Sequence, residues 1–378
     1  GLYRDTVAGG DTLVSDTTNF GNLPWREVFT DSQLQTLIEQ GLANNTDLQT
    51  AILKVKEAQA ALMTSRLAYA PMLALSPQGT ISSFDKSAAT KTYSLPVTAS
   101  WELDLFGNLL NAKRGSQVAL LQTKAYRQAV QTQIISGIAN TYYTLLMLDK
   151  QLEISEQTAD VMKRNVETMR AMKDAGMTNA AAVAQSEAAY AQVIASLPAI
   201  RQSIREAENA LCMLLRQAPQ AIKRSTLEEQ QLPTQFSVGV PLQLLSNRPD
   251  VKAAEMNLAS TYYNTNAARA AFYPQITISG SAGWTNSAGS VIVNPGKLLA
   301  SVVGSLTQPL FYRGSNIARL KIAKAQQEEA KLAFQQTVLN AGSEVSNALS
   351  LYQTTAEKTS ARQLQVESAE KGAEYTKE

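Results

Sequence analysis

Thr92-Tyr93-Ser94-Leu95-Pro96-Val97-Thr98-Ala99-Ser100-Trp101-Glu102-Leu103-Asp104-Leu105-Phe106 alternates in a period of two. The odd positions carry Tyr93, Leu95, Val97, Ala99, Trp101, Leu103 and Leu105. The even positions carry Thr92, Ser94, Pro96, Thr98, Ser100, Glu102 and Asp104. Successive side chains of a strand point to opposite faces, so this run is a strand with one greasy and one wet face. Residues 72–84 read as a weaker partner strand, interrupted by Pro77 and Gly79, with a polar tip near 85–91.

The same pattern returns later in the chain. Ile276, Ile278, Gly280, Ala282 and Trp284 alternate with Gln275, Thr277, Ser279, Ser281 and Gly283. Ala300, Val302, Gly304, Leu306 and Leu310 then alternate with Ser301, Ser305 and Thr307, with Val303 breaking the polar row and a tip near 286–297. The flanks match as well. Thr46-Asp47-Leu48 through Ala70-Pro71 corresponds to Pro249-Asp250-Val251 through Tyr273-Pro274. Both Asp47 to Asp250 and Pro71 to Pro274 are offsets of 203. Leu105-Phe106 matches Leu310-Phe311 at 205, and Ala125-Tyr126 matches Ala333-Phe334 at 208. The chain therefore reads as a tandem duplication.

Each copy has one order of elements: helix, hairpin, long helix. In the first, Leu34, Leu37, Ile38 and Leu42 share a face of a helix near 31–41. A second helix near 47–69 starts at a cap on Asn45 or Thr46 and stops before Pro71. From Asn108 to Ala175 there is no proline, which predicts a helix about 100 Å long at 1.5 Å per residue. Another follows at about 179–216. The long helix carries two adjacent seams, one through Leu121, Ala125, Ile135, Ala139, Tyr142 and Leu146, the other through Ile134, Ile138, Leu145, Leu148 and Leu152. A two-stranded coiled coil needs one seam, so two predict neighbours on both sides, as for a stave in a barrel. The division is 1–30, an extended N-terminal segment; 31–216, the first copy (helices 31–70, hairpin 71–106, helical hairpin 108–216); 217–247, a link; and 248–378, the second copy (helix 248–272, hairpin 274–312, long helix 315–378).

Composition removes several function classes. Lys plus Arg total 34 and Asp plus Glu 32, a net charge of +2, without the basic excess of a nucleic-acid binder. There is no histidine, and Cys212, the one cysteine, lies in an apolar helical run and reads as core. No spacing suggests a nucleophile with its base, a metal set or a cofactor loop, so the expectation is a protein that is not an enzyme. Glu102 and Asp104 read as solvated lumen or junction residues, and Met147, Met162, Met169, Met172 and Met177 as helix packing.

Two isolated hairpins cannot build a closed sandwich core. In lipid, the same alternation separates lipid-facing from lumen-facing residues, and the sheet must close into a barrel. Four strands are too few for that, so membrane insertion predicts oligomerisation. Trp101, Phe106, Phe272, Tyr273, Trp284, Phe311 and Tyr312 are expected at the helix-proximal strand ends, as an interfacial girdle. The competing reading is a soluble, elongated coiled-coil scaffold with hairpin ends.

Trp101-Glu102-Leu103-Asp104-Leu105-Phe106-Gly107, Gln231-Leu232-Pro233, Val238-Gly239-Val240-Pro241, Leu244-Leu245-Ser246-Asn247-Arg248-Pro249-Asp250-Val251 and Phe272-Tyr273-Pro274 resemble the TolC-type outer-membrane efflux proteins over essentially the whole chain. The resemblance implies an α+β membrane protein: a long antiparallel helical barrel continuous with a β-barrel formed by oligomerisation, four strands per chain. It implies a homotrimer in outer-membrane lipid that reaches into the periplasm. It also implies a periplasmic adaptor and a proton-driven inner-membrane transporter as partners, and passive conduction of drugs or other small molecules. Ducts for metal efflux or type I protein secretion remain alternatives. Within the resemblance, Lys173, Asp174, Gly176, Met177, Thr178 and Asn179 form the gated tip that docks the adaptor. Relatives often place an aspartate six residues after this glycine; here the position is Ala182. Two further expectations are a last helix beyond Glu378, with the constricting acidic residues, and a signal removed upstream of Gly1, with lipidation there.

Overall fold

The computed structural model describes residues 24–85, 87–231, 247–285 and 297–375. The N-terminal segment before Pro24, most of the predicted link and the second hairpin tip lie outside the described residues.

After a single turn, α1 (Trp25–Val28), comes α2 (Ser32–Asn44), whose first N–H groups, of Gln33 and Leu34, donate to the Asp31 carboxylate. Leu34, Leu37 and Ile38 fall on one face and are buried. Asn45 separates α2 from α3 (Thr46–Leu67) and serves two helices. Its Oδ1 accepts from the N–H groups of Asp47 and Leu48, and its Nδ2 donates to the Leu214 carbonyl at 2.9 Å.

The first hairpin follows as β1 (Met72–Leu75), β2 (Gln78–Ser82) and β3 (Thr90–Leu103). β1 and β2 are one strand broken at Ser76-Pro77, because Leu75 pairs with Val97 and Gln78 with Ser94 in unshifted register. Proline has no N–H for the ladder, which accounts for the break. Next come α4 (Asn108–Asp174), α5 (Ala180–Leu214) and α6 (Pro249–Ala270), then β4 (Gln275–Thr285), β5 (Lys297–Thr307) and α7 (Ser315–Tyr375). α4 has 67 residues, about 100 Å of helix. Pro198 lies inside α5 without ending it.

The two hairpins are not isolated, and this corrects the sequence expectation. β3 pairs antiparallel with β4 from Ser94↔Thr285 to Leu103↔Ile276, giving one sheet ordered β1-β3-β4-β5 with β2 also on β3. The register aligns the parity of all strands. Leu73, Ala99, Gly280 and Val302 fall on one face, as do Leu75, Val97, Ala282 and Ala300. The opposite face carries Thr98 beside Ser281 and Ser301, and Ser100 beside Ser279. The strands also stop short of the predicted ends. Asp104, Leu105 and Phe106 lie beyond β3, where Asp104 accepts the Leu110 N–H at 2.7 Å and Gly107 takes φ +76°. Leu310 lies beyond β5 and is exposed.

The main core sits where α2, α3, α4 and the end of α5 meet. It holds Leu34, Ile38, Leu48, Ile138, Tyr142, Leu145, Leu211 and Cys212. α2 reaches α4 because Gly41 has no side chain: a Cβ there would stand 2.3 Å from the Ile138 Cδ1. α4 packs on α5, α6, α3 and α2, the several neighbours that two seams require. Leu121, assigned to one seam, is exposed instead. A smaller cluster joins Val251 of α6 to Ala341 of α7. No described helix is long and apolar enough to cross a membrane.

Candidate functional site

The α4–α5 turn brings together the six residues expected to form the tip. Lys173 and Asp174 end α4. Gly176 has φ +72°, its N–H donates to the Lys173 carbonyl at 2.9 Å, and the Met177 N–H donates to the Met172 carbonyl at 2.8 Å. These two bonds close the helix as a Schellman motif, in which the left-handed position favours glycine. Asn179 caps α5: its Oδ1 accepts the Ala182 N–H at 2.9 Å. The first buried residues behind the turn are Val166 of α4 and Val183 and Ser186 of α5. Arg170 donates twice to Glu187 Oε1, at 3.0 and 2.6 Å, and Arg201 to Glu156 at 2.9 Å, so two exposed ion pairs bridge the hairpin.

Six of the seven predicted aromatics gather where the sheet meets the helices. Phe106 and Tyr273 stack with centroids 5.1 Å apart. The Trp101 indole N–H donates to the Tyr69 carbonyl at 2.9 Å. The Phe272 carbonyl accepts from Gln308, and Phe311 and Tyr312 precede the left-handed pair Arg313-Gly314. Trp284 is the exception and a correction. β4 runs away from α6, so Trp284, paired with Leu95, lies at the loop end of the sheet.

Sequence reasoning missed two polar clusters that fasten the segment after α5 to α4. One Asp31 oxygen accepts from Tyr142 (2.7 Å) and Gln230 (2.8 Å), while the other accepts from Ser225 (3.0 Å) and the Gln33 N–H (2.8 Å). Burial by itself raises the Asp31 pKa, but these four donors outweigh it and leave it below the ordinary carboxylate value. Tyr142 is pushed up to about 12, first by burial and then by its bond to Asp31, against opposing bonds from Ser225. Beside it, Arg224 holds Asp149 of α4 through two bonds of 2.5 and 2.8 Å, and Glu208 of α5 at 2.6 Å. Lys150 reaches Glu228 at 2.6 Å. One signal was available: Tyr142 lies on an apolar seam, and a buried hydroxyl needs a partner.

No group of three or more His, Cys, Asp or Glu residues that could hold a metal occurs among the described residues. The arrangement is a wall and a turn.

Comparison with known proteins gives the same architecture. A sequence model of the family described as "Outer membrane efflux protein" matches residues 37–215 and 240–378. The "Cation efflux system protein CusC" of Escherichia coli O6:H1 is 31% identical over 358 residues, 93% of this chain and 77% of that protein. The "Toluene efflux pump outer membrane protein TtgC" of Pseudomonas putida is 28% identical over 354 residues, covering 89% and 72%. A crystal structure of CusC superposes with a TM-score of 0.84 at 30% identity, over 90% of this chain and 80% of that one.

Proposed function

The chain belongs to the outer membrane efflux protein family, and from that premise we propose how it works as an outer-membrane exit duct. Three copies join, β5 of one beside the β1/β2 edge of the next, to close a twelve-stranded barrel. The edges support this, since a four-strand sheet with two open edges cannot stand in lipid. A head-to-tail contact that closes on itself is a cyclic one. The duct catalyses nothing; the energy comes from an inner-membrane transporter, joined through a periplasmic adaptor that docks at Lys173, Asp174, Gly176, Met177, Thr178 and Asn179. The two copies, 31–216 and 248–378, are proposed as units about the link 217–247.

The observation that carries the reading is the shared parity of the sheet, apolar on one face through all its strands except at Lys91, near the start of β3. The aromatic rims give it a scale. Tyr273 and Trp284 are eleven positions apart. At ~3.4 Å per residue and a tilt near 40°, that is about 28 Å of height, against an apolar band of about 25 Å in such barrels. Trp284 thus serves the outer rim, and Trp101, Phe106, Phe272, Tyr273, Phe311 and Tyr312 the inner one. The test is single-channel conductance of the full-length protein in planar bilayers. Discrete steps that grow when the Arg170–Glu187 bridge is cut support the duct. Silence from wild type and bridge variants alike rejects it. Drug or metal sensitivity of a deletion strain identifies the cargo.

A further inference from the structure

We propose that the helix ends next to the sheet form a basic collar that binds the headgroups of anionic phospholipids at the inner rim of the barrel. This rests on the membrane-embedded reading above. Four helix ends meet the sheet: the close of α3, the start of α4, the close of α6 and the start of α7. Residues 62–70, 105–119, 263–273 and 308–320 cover them, and hold Arg66, Lys113, Arg114, Arg269, Arg313 and Arg319 without one Asp or Glu. Going away from the sheet, the first carboxylates are Glu57 on α3, Asp149 on α4, Glu255 on α6 and Glu328 on α7. The far half of α4 mixes both signs, so the segregation belongs to the sheet end. Against the six cations stand Glu102, at the end of β3, and Asp104, which accepts the Leu110 N–H. The duplication repeats the pattern: Arg66 and Arg269 are 203 positions apart and Arg114 and Arg319 are 205, the offsets of the elements around them.

Contacts at the junction tie the collar to the lipid side. Trp101 falls on the apolar face of β3, and its indole N–H donates to the Tyr69 carbonyl at 2.9 Å. Lys113 Nζ stands 5.4 Å from the centre of the Tyr69 ring, a cation–π contact, and the Arg114 charge reaches the Tyr69 hydroxyl. Ser65 and Ser116 bond each other at 2.7 Å, which holds the turns carrying Arg66 and Arg114 side by side. All five arginines of the collar are exposed and Lys113 is half-buried. None of the six joins an ion pair among the described residues, so their charge is left for an outside anion. Each lies within two turns of its helix end, about 10 Å along the axis. The headgroup layer on one side of a bilayer is about 5–8 Å deep, so cations at this level meet phosphate rather than acyl chains. The aromatic rim beside them suits the same layer.

The experiment reads lipid preference at Trp101 by fluorescence quenching. Full-length protein in which every tryptophan but Trp101 is replaced by phenylalanine is placed in phosphatidylcholine vesicles. Brominated phosphatidylglycerol or brominated phosphatidylcholine is then added in steps. At ~0.1 M salt the glycerol lipid is expected to compete for Trp101 about two- to fivefold better, the scale of one basic side chain at an anionic surface. Lys113→Gln with Arg114→Gln should bring that ratio close to one, whereas Lys113→Arg with Arg114→Lys should keep it. Salt at ~1 M should also erase the preference of the parent protein, since the Debye length falls from ~10 to ~3 Å. That arm decides the matter if the glutamine pair fails to assemble. Equal quenching by both lipids in the parent protein, or a preference untouched by the glutamine pair or by salt, overturns the collar. A glutamine pair that shifts the reversal potential in planar bilayers but not the lipid ratio puts these cations in the lumen and overturns it equally. Absence of quenching by either lipid sinks the membrane reading itself.

Discussion

Gly283 sits where two strands meet most closely. A Cβ there would lie 2.3 Å from the Leu95 carbonyl oxygen and 2.4 Å from the Pro96 Cα, both backbone atoms that cannot swing aside. Gly283→Ala should force β3 and β4 apart, costing about 1–3 kcal/mol or more. Loss of the heat-modifiable folded band on gels checks this. Gly41→Ala meets only the end of the Ile138 side chain, so its cost should be lower. Asp31 makes stability depend on pH. Its folded pKa lies below the unfolded value, so its contribution is full above pH ~3.9 and fades as pH falls through the folded value. Asp31→Asn should melt below wild type at neutral pH, and the gap should close in acid. Tyr142 works in the opposite direction. Raised to about 12, it holds its proton into strong alkali, and burial raises Tyr69 and Tyr143 as well, so Tyr142→Phe should diminish the late phase of an alkaline absorbance titration without abolishing it. Caps at Asn45 and Asn179 were legible because their partners lie two or three residues away. The Asp31 cluster was not, because its partners Tyr142, Ser225 and Gln230 are 111, 194 and 199 positions distant.

At the level of elements, alternation made β3 and β4 legible, and the proline-free run did the same for α4. Their meeting was hidden. The β3–β4 ladder joins residues roughly 170 to 190 positions apart, and period alone carries no information on which strand is the neighbour. Trp284 was misplaced for a related reason: residue type suggests an interface, while strand direction decides which one. The tip turn was readable from Gly176, whose φ of +72° suits glycine. Gly176→Val should destabilise the turn by about 1–2 kcal/mol. Faster hydrogen exchange confined to the ends of α4 and α5 is the expected result.

For the whole molecule, the two faces of the sheet should respond differently to the same charge. Val302 lies on the apolar face and Ser301 on the other. Val302→Lys places an ammonium in lipid, at about 2–4 kcal/mol near the midplane, and should keep the protein out of the outer-membrane fraction. Ser301→Lys, one residue away, should still reach it.

Asn45 ties the beginning of one helix to the finish of another 169 positions later. The usual replacements for a residue in this role are therefore poor ones here. Aspartate keeps the acceptor but sets a negative charge against the Leu214 carbonyl, and serine is too short to span both duties. A position that local sequence would class as freely exchangeable is, where α2, α3 and the end of α5 meet, restricted to a side chain that gives and receives through two separate atoms.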